Sequence, residues 1–288
     1  MAKLVRAISE NGGMVLSILD STDIVNEMEQ IHHPSAVVSA ALGRLLTGSL
    51  LMAATLKNEK DSITVRVKGG GPVGSLLTVA DGKGNVKGYA ENPLVELPAR
   101  ADGKLDVGGA VGNDGLLTVI RDSGVKEPYI GQIPLISGEI AEDITSYYAT
   151  SEQIPTVCAL GVLVERDLTI KRAGGYLLQL LPGATEKEIT QLEQNVSKLS
   201  SMTEMLENGH TVYEIIDMVL EGFDPNVLDE TEVQYHCDCS RDRVERAYMS
   251  LGQEELQKIA VEQETVELKC QFCNRAYQFK TADYVKRN

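Results

Sequence analysis

Four of the chain's five cysteines stand in two tight pairs: Cys237 and Cys239 in "HCDCS", and Cys270 and Cys273 in "KCQFC", with thirty residues between the pairs. A C-x-C and a C-x-x-C clip together offer four soft ligands, the set that tetrahedral zinc takes at ~2.3 Å. One Zn2+ per chain, held by Cys237, Cys239, Cys270 and Cys273, is the expectation. An iron–sulfur cluster fits less well because the ferredoxin cysteine run is absent. His236 is read as a neighbour of the site rather than a substitute ligand. The same spacing also permits disulfides: Cys270 and Cys273 suit a redox turn, whereas Cys237 and Cys239 would close a tighter, more strained ring. Lys269, Arg241, Arg243 and Arg275 are near in sequence. Cations favour the thiolate, the form that reacts with oxidants. One cluster can therefore staple the chain when reduced and carry disulfides when oxidised.

Other candidate chemistry is weaker. Cys158, in "IPTVCALGVLV", reads as a core thiol, and His32, His33, His210 and His236 offer it no evident base. "KGGGPVG" contains Gly69, Gly71 and Gly74 in a G-x-G-x-x-G pattern, but a strand-like run follows it. Without a helix N-terminus there is little to hold a pyrophosphate, so a strand-to-strand turn is expected. No Walker loop, HExxH or G-x-S-x-G occurs in the sequence. No catalytic residues are assigned, and the chain is not expected to be an enzyme.

The elements that must position the cysteines fall into three textures. Residues 1–184 are glycine-punctuated and rich in β-branched residues. "SITVRVK", "GSLLTVA", "LLTVIRD", "CALGVLVE" and "YLLQLLPG" predict strands, with helices over Ala36–Leu56 and within Ile140–Gln153 packed on them. The fold class is thus α+β: an N-terminal sheet-based domain with packed helices, a helical connector, and a small C-terminal zinc domain with four cysteine ligands. Residues 185–232 are the connector. Thr185–Glu188 and Thr211–Glu214 have the capping-box pattern, and Ile189, Leu192, Val196, Leu199, Met202 and Leu206 predict one helix with a greasy stripe, ended by Asn208-Gly209. Ile215, Val219 and Leu220 continue the stripe on a second helix. Residues 233–288 hold both cysteine pairs, with Ser240 as an N-cap, Gly252 as a stop, and "TVELK" and "AYQFK" as a hairpin. These 56 residues cannot bury much, so a metal staple worth ~10–16 kcal/mol would supply folding energy directly.

Charge narrows the partners. The formal net charge is −15, a surface that repels phosphate backbones and anionic lipid, so neither nucleic acid nor membrane is an expected partner. Glu186 to Glu232 alone holds twelve acidic residues and two lysines. Ala36–Leu56 has the length of a membrane span, but Arg44 inside it would cost ~2.5–3.5 kcal/mol in a bilayer, and a buried helix is expected instead. The N-terminal residues lack the apolar core of a signal peptide. A cytoplasmic location, where thiols stay reduced, is the expectation.

Beyond these local readings, the chain resembles the redox-regulated heat-shock chaperones of about 33 kDa along essentially its whole length. "ALGRLLTGSLLMA", "GGGPVGSL", "YYATSEQIPT", "GGYLLQLLPGA", "CDCSRDR" and "CQFCNRAYQF" carry the resemblance. It implies that Cys237, Cys239, Cys270 and Cys273 are zinc-binding, redox-sensing thiols. It further implies an ATP-independent holdase, inactive when reduced and zinc-bound. On oxidation each cysteine would pair with its near neighbour, Cys237 with Cys239 and Cys270 with Cys273, and zinc would be released. The C-terminal region and connector would then unfold, and the active species, a homodimer, would bind unfolding client proteins. Met202, Met205 and Met218 would lend the freed stripe an adaptable surface. Two other classes stay open on the residues alone: a zinc module binding nucleic acid, and a thiol-disulfide oxidoreductase.

Overall fold

The computed structural model describes residues 2–125 and 127–285. They divide into two compact units, one ending at Tyr235 and the other beginning at His236. The fold is α+β. In the first unit the chain forms β1 (Ala2–Ile8), β2 (Met14–Asp20), α1 (Thr22–His32), α2 (Ala36–Ala53), β3 (Ser62–Lys68), β4 (Ser75–Asp81), β5 (Asn85–Ala90) and α3 (Val107–Val111). It continues through β6 (Leu116–Asp122), β7 (Tyr129–Pro134), α4 (Ala141–Tyr147), β8 (Thr156–Val164), β9 (Ile170–Leu180), α5 (Glu186–Lys198), α6 (Met202–Glu207), α7 (Val212–Val219) and β10 (Asn226–Tyr235). The five strand runs read from the sequence are all in strands. β1, β2, β5, β7 and β10 are strands that it did not give.

The strands pair in the order β7-β6-β3-β4-β5-β10-β1-β2-β9-β8. Pairing is antiparallel except where Gln234 and Tyr235 of β10 run parallel to Asn85 and Val86 of β5. β10 lies antiparallel to β1, with Ala2 opposite Val233. "KGGGPVG" joins β3 to β4 as a strand-to-strand turn, so it presents no helix to a phosphate.

Two cores occupy the two faces of the β1-β2-β9 region. α2 is the centre of the first: it is buried along nearly its whole length and packs with α1, α3 and α4. Its length and apolarity would suit a membrane span, but 89% of it is buried inside the protein. The Arg44 guanidinium donates to Glu139 Oε2 at 2.6 Å, which accounts for a cation in an otherwise apolar helix. The second core lies between the sheet and the connector. Val5, Ala7, Met14, Leu16, Ile18, Tyr176 and Leu178 face Leu192, Met202, Met205, Leu206, Ile215, Ile216 and Val219. Strand alternation explains the split: Met14, Leu16 and Ile18 turn to this face, and Leu19 turns to the other.

The connector departs from the expected single first helix. α5 stops at Lys198, Leu199 is extended, and α6 starts afresh at Met202. Ser201 is the reason: its hydroxyl accepts from the Glu204 amide, and a serine that caps a new helix interrupts the old one. Both capping boxes form. Thr185 and Glu188, and Thr211 and Glu214, exchange amide-to-side-chain bonds at 2.7–3.4 Å. α6 seats closely on β8 and β9 because Gly161 and Gly174 lack side chains there. A β-carbon on Gly161 would stand 2.8 Å from Thr203 Cγ2.

The second unit holds α8 (Arg241–Met249), α9 (Gln253–Glu262), and a hairpin of β11 (Thr265–Lys269) and β12 (Ala276–Lys280). Ser240 caps α8 as the sequence indicates. Gly252 does stop it, but it also opens α9, a helix that the sequence reading did not give.

Candidate metal centre

The second unit has little apolar interior. Its buried hydrophobic side chains, among the described residues, are Tyr248, Leu256 and Phe279. Tyr248 stacks on Phe279 at 5.9 Å, Tyr284 meets both rings edge-on, and Arg241 lies 4.5 Å above Phe279. Burial and the Glu245 carboxylate, which accepts its hydroxyl at 2.7 Å, push the Tyr284 phenol up to about 12.

Both cysteine clips are built by local backbone chemistry. The loop between β11 and β12 is a knuckle: the Asn274 amide donates to the Cys270 carbonyl at 2.8 Å, and the Cys270 amide to the Arg275 carbonyl at 3.0 Å. Asn274 takes the left-handed conformation (φ 58°) that asparagine tolerates better than most residues. This turn brings Cys270 and Cys273 to one side. The other clip follows β10 directly and ends at the Ser240 cap.

The structure brings the four sulfurs together, all within 4.8 Å of one another. Cys237 Sγ is 3.7 Å from Cys270 Sγ, and Cys239 Sγ is 3.3 Å from Cys273 Sγ. The edge of a tetrahedron with ~2.3 Å metal–sulfur bonds is ~3.8 Å, so the quartet has the size and donor set of a four-thiolate metal site. Burial and neighbouring sulfurs push the Cys237 and Cys273 thiols up. Burial opposes ionisation of Cys239 too, but the Tyr277 hydroxyl and the other three sulfurs outweigh it and draw that thiol below its usual range.

The surrounding residues sort out differently from their sequence neighbourhood. His236 is exposed and is not in the sulfur group. Arg243 pairs with Asp238 at 2.5 Å, and Arg241 is committed to Phe279. Arg275 reaches Tyr277 first and feels Cys239 and Cys273 as well, which raises its basicity. Tyr277 is the neighbour that the sequence reading missed: its hydroxyl lies 3.1 Å from Cys239 Sγ. The signal was present in "AYQFK", whose alternation sends Tyr277 and Phe279 to one face of β12. Cys158 is elsewhere, on β8 against the first core, and desolvation pushes its thiol up to about 12.

The comparisons with known proteins agree with this architecture. A family model described as Hsp33 protein matches residues 2–280. The chain belongs to the Hsp33 family. A 33 kDa chaperonin of Clostridium perfringens is 46% identical over 285 residues, covering 99% of this chain and 90% of that one. A 33 kDa chaperonin of Agathobacter rectalis is 46% identical over 283 residues, covering 98% of each. Among solved structures, the Hsp33 homologue of Thermotoga maritima superposes with a TM-score of 0.91 at 32% identity, covering 98% of this chain and 96% of that one. Family membership and a four-cysteine cluster that can hold a metal ion together fit a chaperone.

Proposed function

We propose that the chain is an ATP-independent holdase switched by oxidation, with no enzymatic activity of its own. Cys237, Cys239, Cys270 and Cys273 are its redox-sensing thiols, and in the reduced state they hold one Zn2+. Functionally it divides into a client-binding domain (1–184), a metastable connector (185–232) and a zinc-binding switch domain (233–288). Zinc, when bound, supplies the cross-link that the small second unit otherwise lacks. Its loss removes ~10–16 kcal/mol, as much as a typical domain's whole stability, so unfolding rather than adjustment follows.

Oxidation pairs Cys237 with Cys239 and Cys270 with Cys273. A disulfide sulfur is no longer a thiolate donor, so the site gives up its metal. The second unit unfolds, and the connector, which β10 joins directly to Cys237, undocks. Its helices are short and acidic, hence marginal once free of a packing surface. Undocking uncovers Val5, Met14, Leu16, Ile18, Tyr176 and Leu178 on the sheet and the Met-rich stripe of α6 and α7, an apolar surface for unfolding clients. The active form is a homodimer in the cytoplasm, with neither nucleic acid nor membrane as partner.

The sulfur quartet in a unit with so small a core is the observation that carries this reading. Zinc content before and after peroxide, read alongside suppression of a heat-denatured client's aggregation without ATP, tests it. Zinc loss and protection should appear together and reverse with reductant and zinc. Equal protection by the reduced zinc-bound and oxidised zinc-free forms would contradict the switch.

A further inference from the structure

The geometry points to Tyr277 as a positioning residue that holds the Cys239 sulfur back from oxidant and so sets how readily the quartet is oxidised. This inference rests on the reading of the quartet as a zinc-thiolate redox site. The Tyr277 hydroxyl lies 3.1 Å from Cys239 Sγ and 3.3 Å from the carbonyl oxygen of the same residue. Its one proton can serve only one of these acceptors at a time. A thiolate carries charge and can only accept, so it takes the proton while the site is reduced. Strand register fixes the ring: Tyr277 stands opposite Leu268, and Phe279, two residues on, is buried.

The oxidation that this contact restrains begins with the sulfur electron pair. That pair attacks one oxygen of hydrogen peroxide, the O–O bond breaks, and a sulfenic acid and hydroxide result. A second cysteine thiolate then attacks the sulfenic sulfur, the S–S bond forms, and a second hydroxide leaves. Two thiolates and one peroxide thus give one disulfide and two hydroxides, which take up two protons to become water. The phenol proton is bound to the same electron pair that must attack. It stabilises the thiolate before reaction and is given up during it, so the barrier rises.

The test compares the zinc-loaded, reduced full chain with its Tyr277→Phe variant. Both are given limiting N-ethylmaleimide, and modification is read at each cysteine by mass spectrometry. Tyr277→Phe should keep its zinc. Its Cys239 should react about three- to tenfold faster, the size expected for losing part of a charge-assisted hydrogen bond. Cys237, Cys270 and Cys273 should stay at the parent's rates, and peroxide-driven zinc loss should quicken. An unchanged Cys239 rate would overturn the inference. So would an equal rise at all four cysteines, which marks a purely structural role in holding the loop. If the variant does not retain zinc, 3-fluorotyrosine at position 277 decides: this stronger donor of nearly the same shape must slow Cys239 below the parent, and no change or a rise overturns the inference. A parent chain without zinc would overturn the zinc-thiolate reading itself, and a zinc-holding variant with an unchanged Cys239 rate only the role of Tyr277.

Discussion

Cys270 and Cys158 illustrate how differently one side chain can be used. Cys270 stands at the head of a knuckle, with its backbone amide and carbonyl both engaged in the turn and its sulfur aimed at three others. Replacing it with serine keeps the turn but substitutes a hard hydroxyl oxygen for a soft sulfur. Chelator competition should show zinc retention weakened by more than the ~10–100-fold typical of losing an outer-shell partner. Cys158, by contrast, is desolvated, which pushes its thiol up to about 12. Iodoacetamide at pH 8, after zinc is chelated, should modify the other four cysteines and spare Cys158 until the first unit unfolds, as peptide mapping would show. Cys158→Ala should respond to peroxide like the parent. The quartet was legible in the sequence because two tight thiol pairs in so cysteine-poor a chain leave few alternatives. Tyr277 was only half legible: the alternation of "AYQFK" gives its face of β12, but nothing in the sequence shows that this face meets Cys239, 38 residues away.

At the scale of elements, the connector is where local signals were clearest and tertiary ones weakest. Its capping boxes were readable because a threonine three residues before a glutamate satisfies free amides within one turn. The break at Ser200-Ser201 was not, because the apolar stripe runs across it in register. In the folded protein the Glu188 and Glu214 carboxylates accept from the Thr185 and Thr211 backbone, which holds both below the usual carboxylate range. A depressed carboxylate stabilises above its unfolded value, and that contribution is lost as pH falls through the lower folded value. The connector should therefore loosen below about pH 4.3. Far-ultraviolet circular dichroism should show a loss of helix there that Glu188→Gln and Glu214→Gln together diminish. Docking depends on Gly161 as well. Gly161→Ala pushes a methyl group toward Thr203, an overpacking that costs ~1–3 kcal/mol. Limited proteolysis should cut between residues 199 and 210 faster in that variant, and client protection should begin at lower peroxide.

The whole molecule pairs a large first unit, with two apolar cores, and a second unit whose buried hydrophobic side chains, among the described residues, are Tyr248, Leu256 and Phe279. Chelating the metal from reduced protein should, by hydrogen exchange, deprotect α8, α9, β11 and β12 while α2 and β3–β6 stay protected. Deprotection of α2 at the same rate would show that the units do not have separate stabilities. The α+β class was readable because glycine-bounded β-branched runs alternate with only a few helical stretches. The order of the strands was not, since β10 closes the sheet between β1 and β5 although it comes last of the ten. That placement has a consequence for biosynthesis. Ala2 finds its partner, Val233, only after most of the chain has been made, a delay on the order of tens of seconds at ~5–20 residues per second. Until then β1 has an unpaired edge, the kind of surface on which growing polypeptides aggregate. A nascent polypeptide arrested before Asn226 should remain protease-sensitive at its N-terminus, and one extended far enough for Tyr235 to clear the ribosome should not.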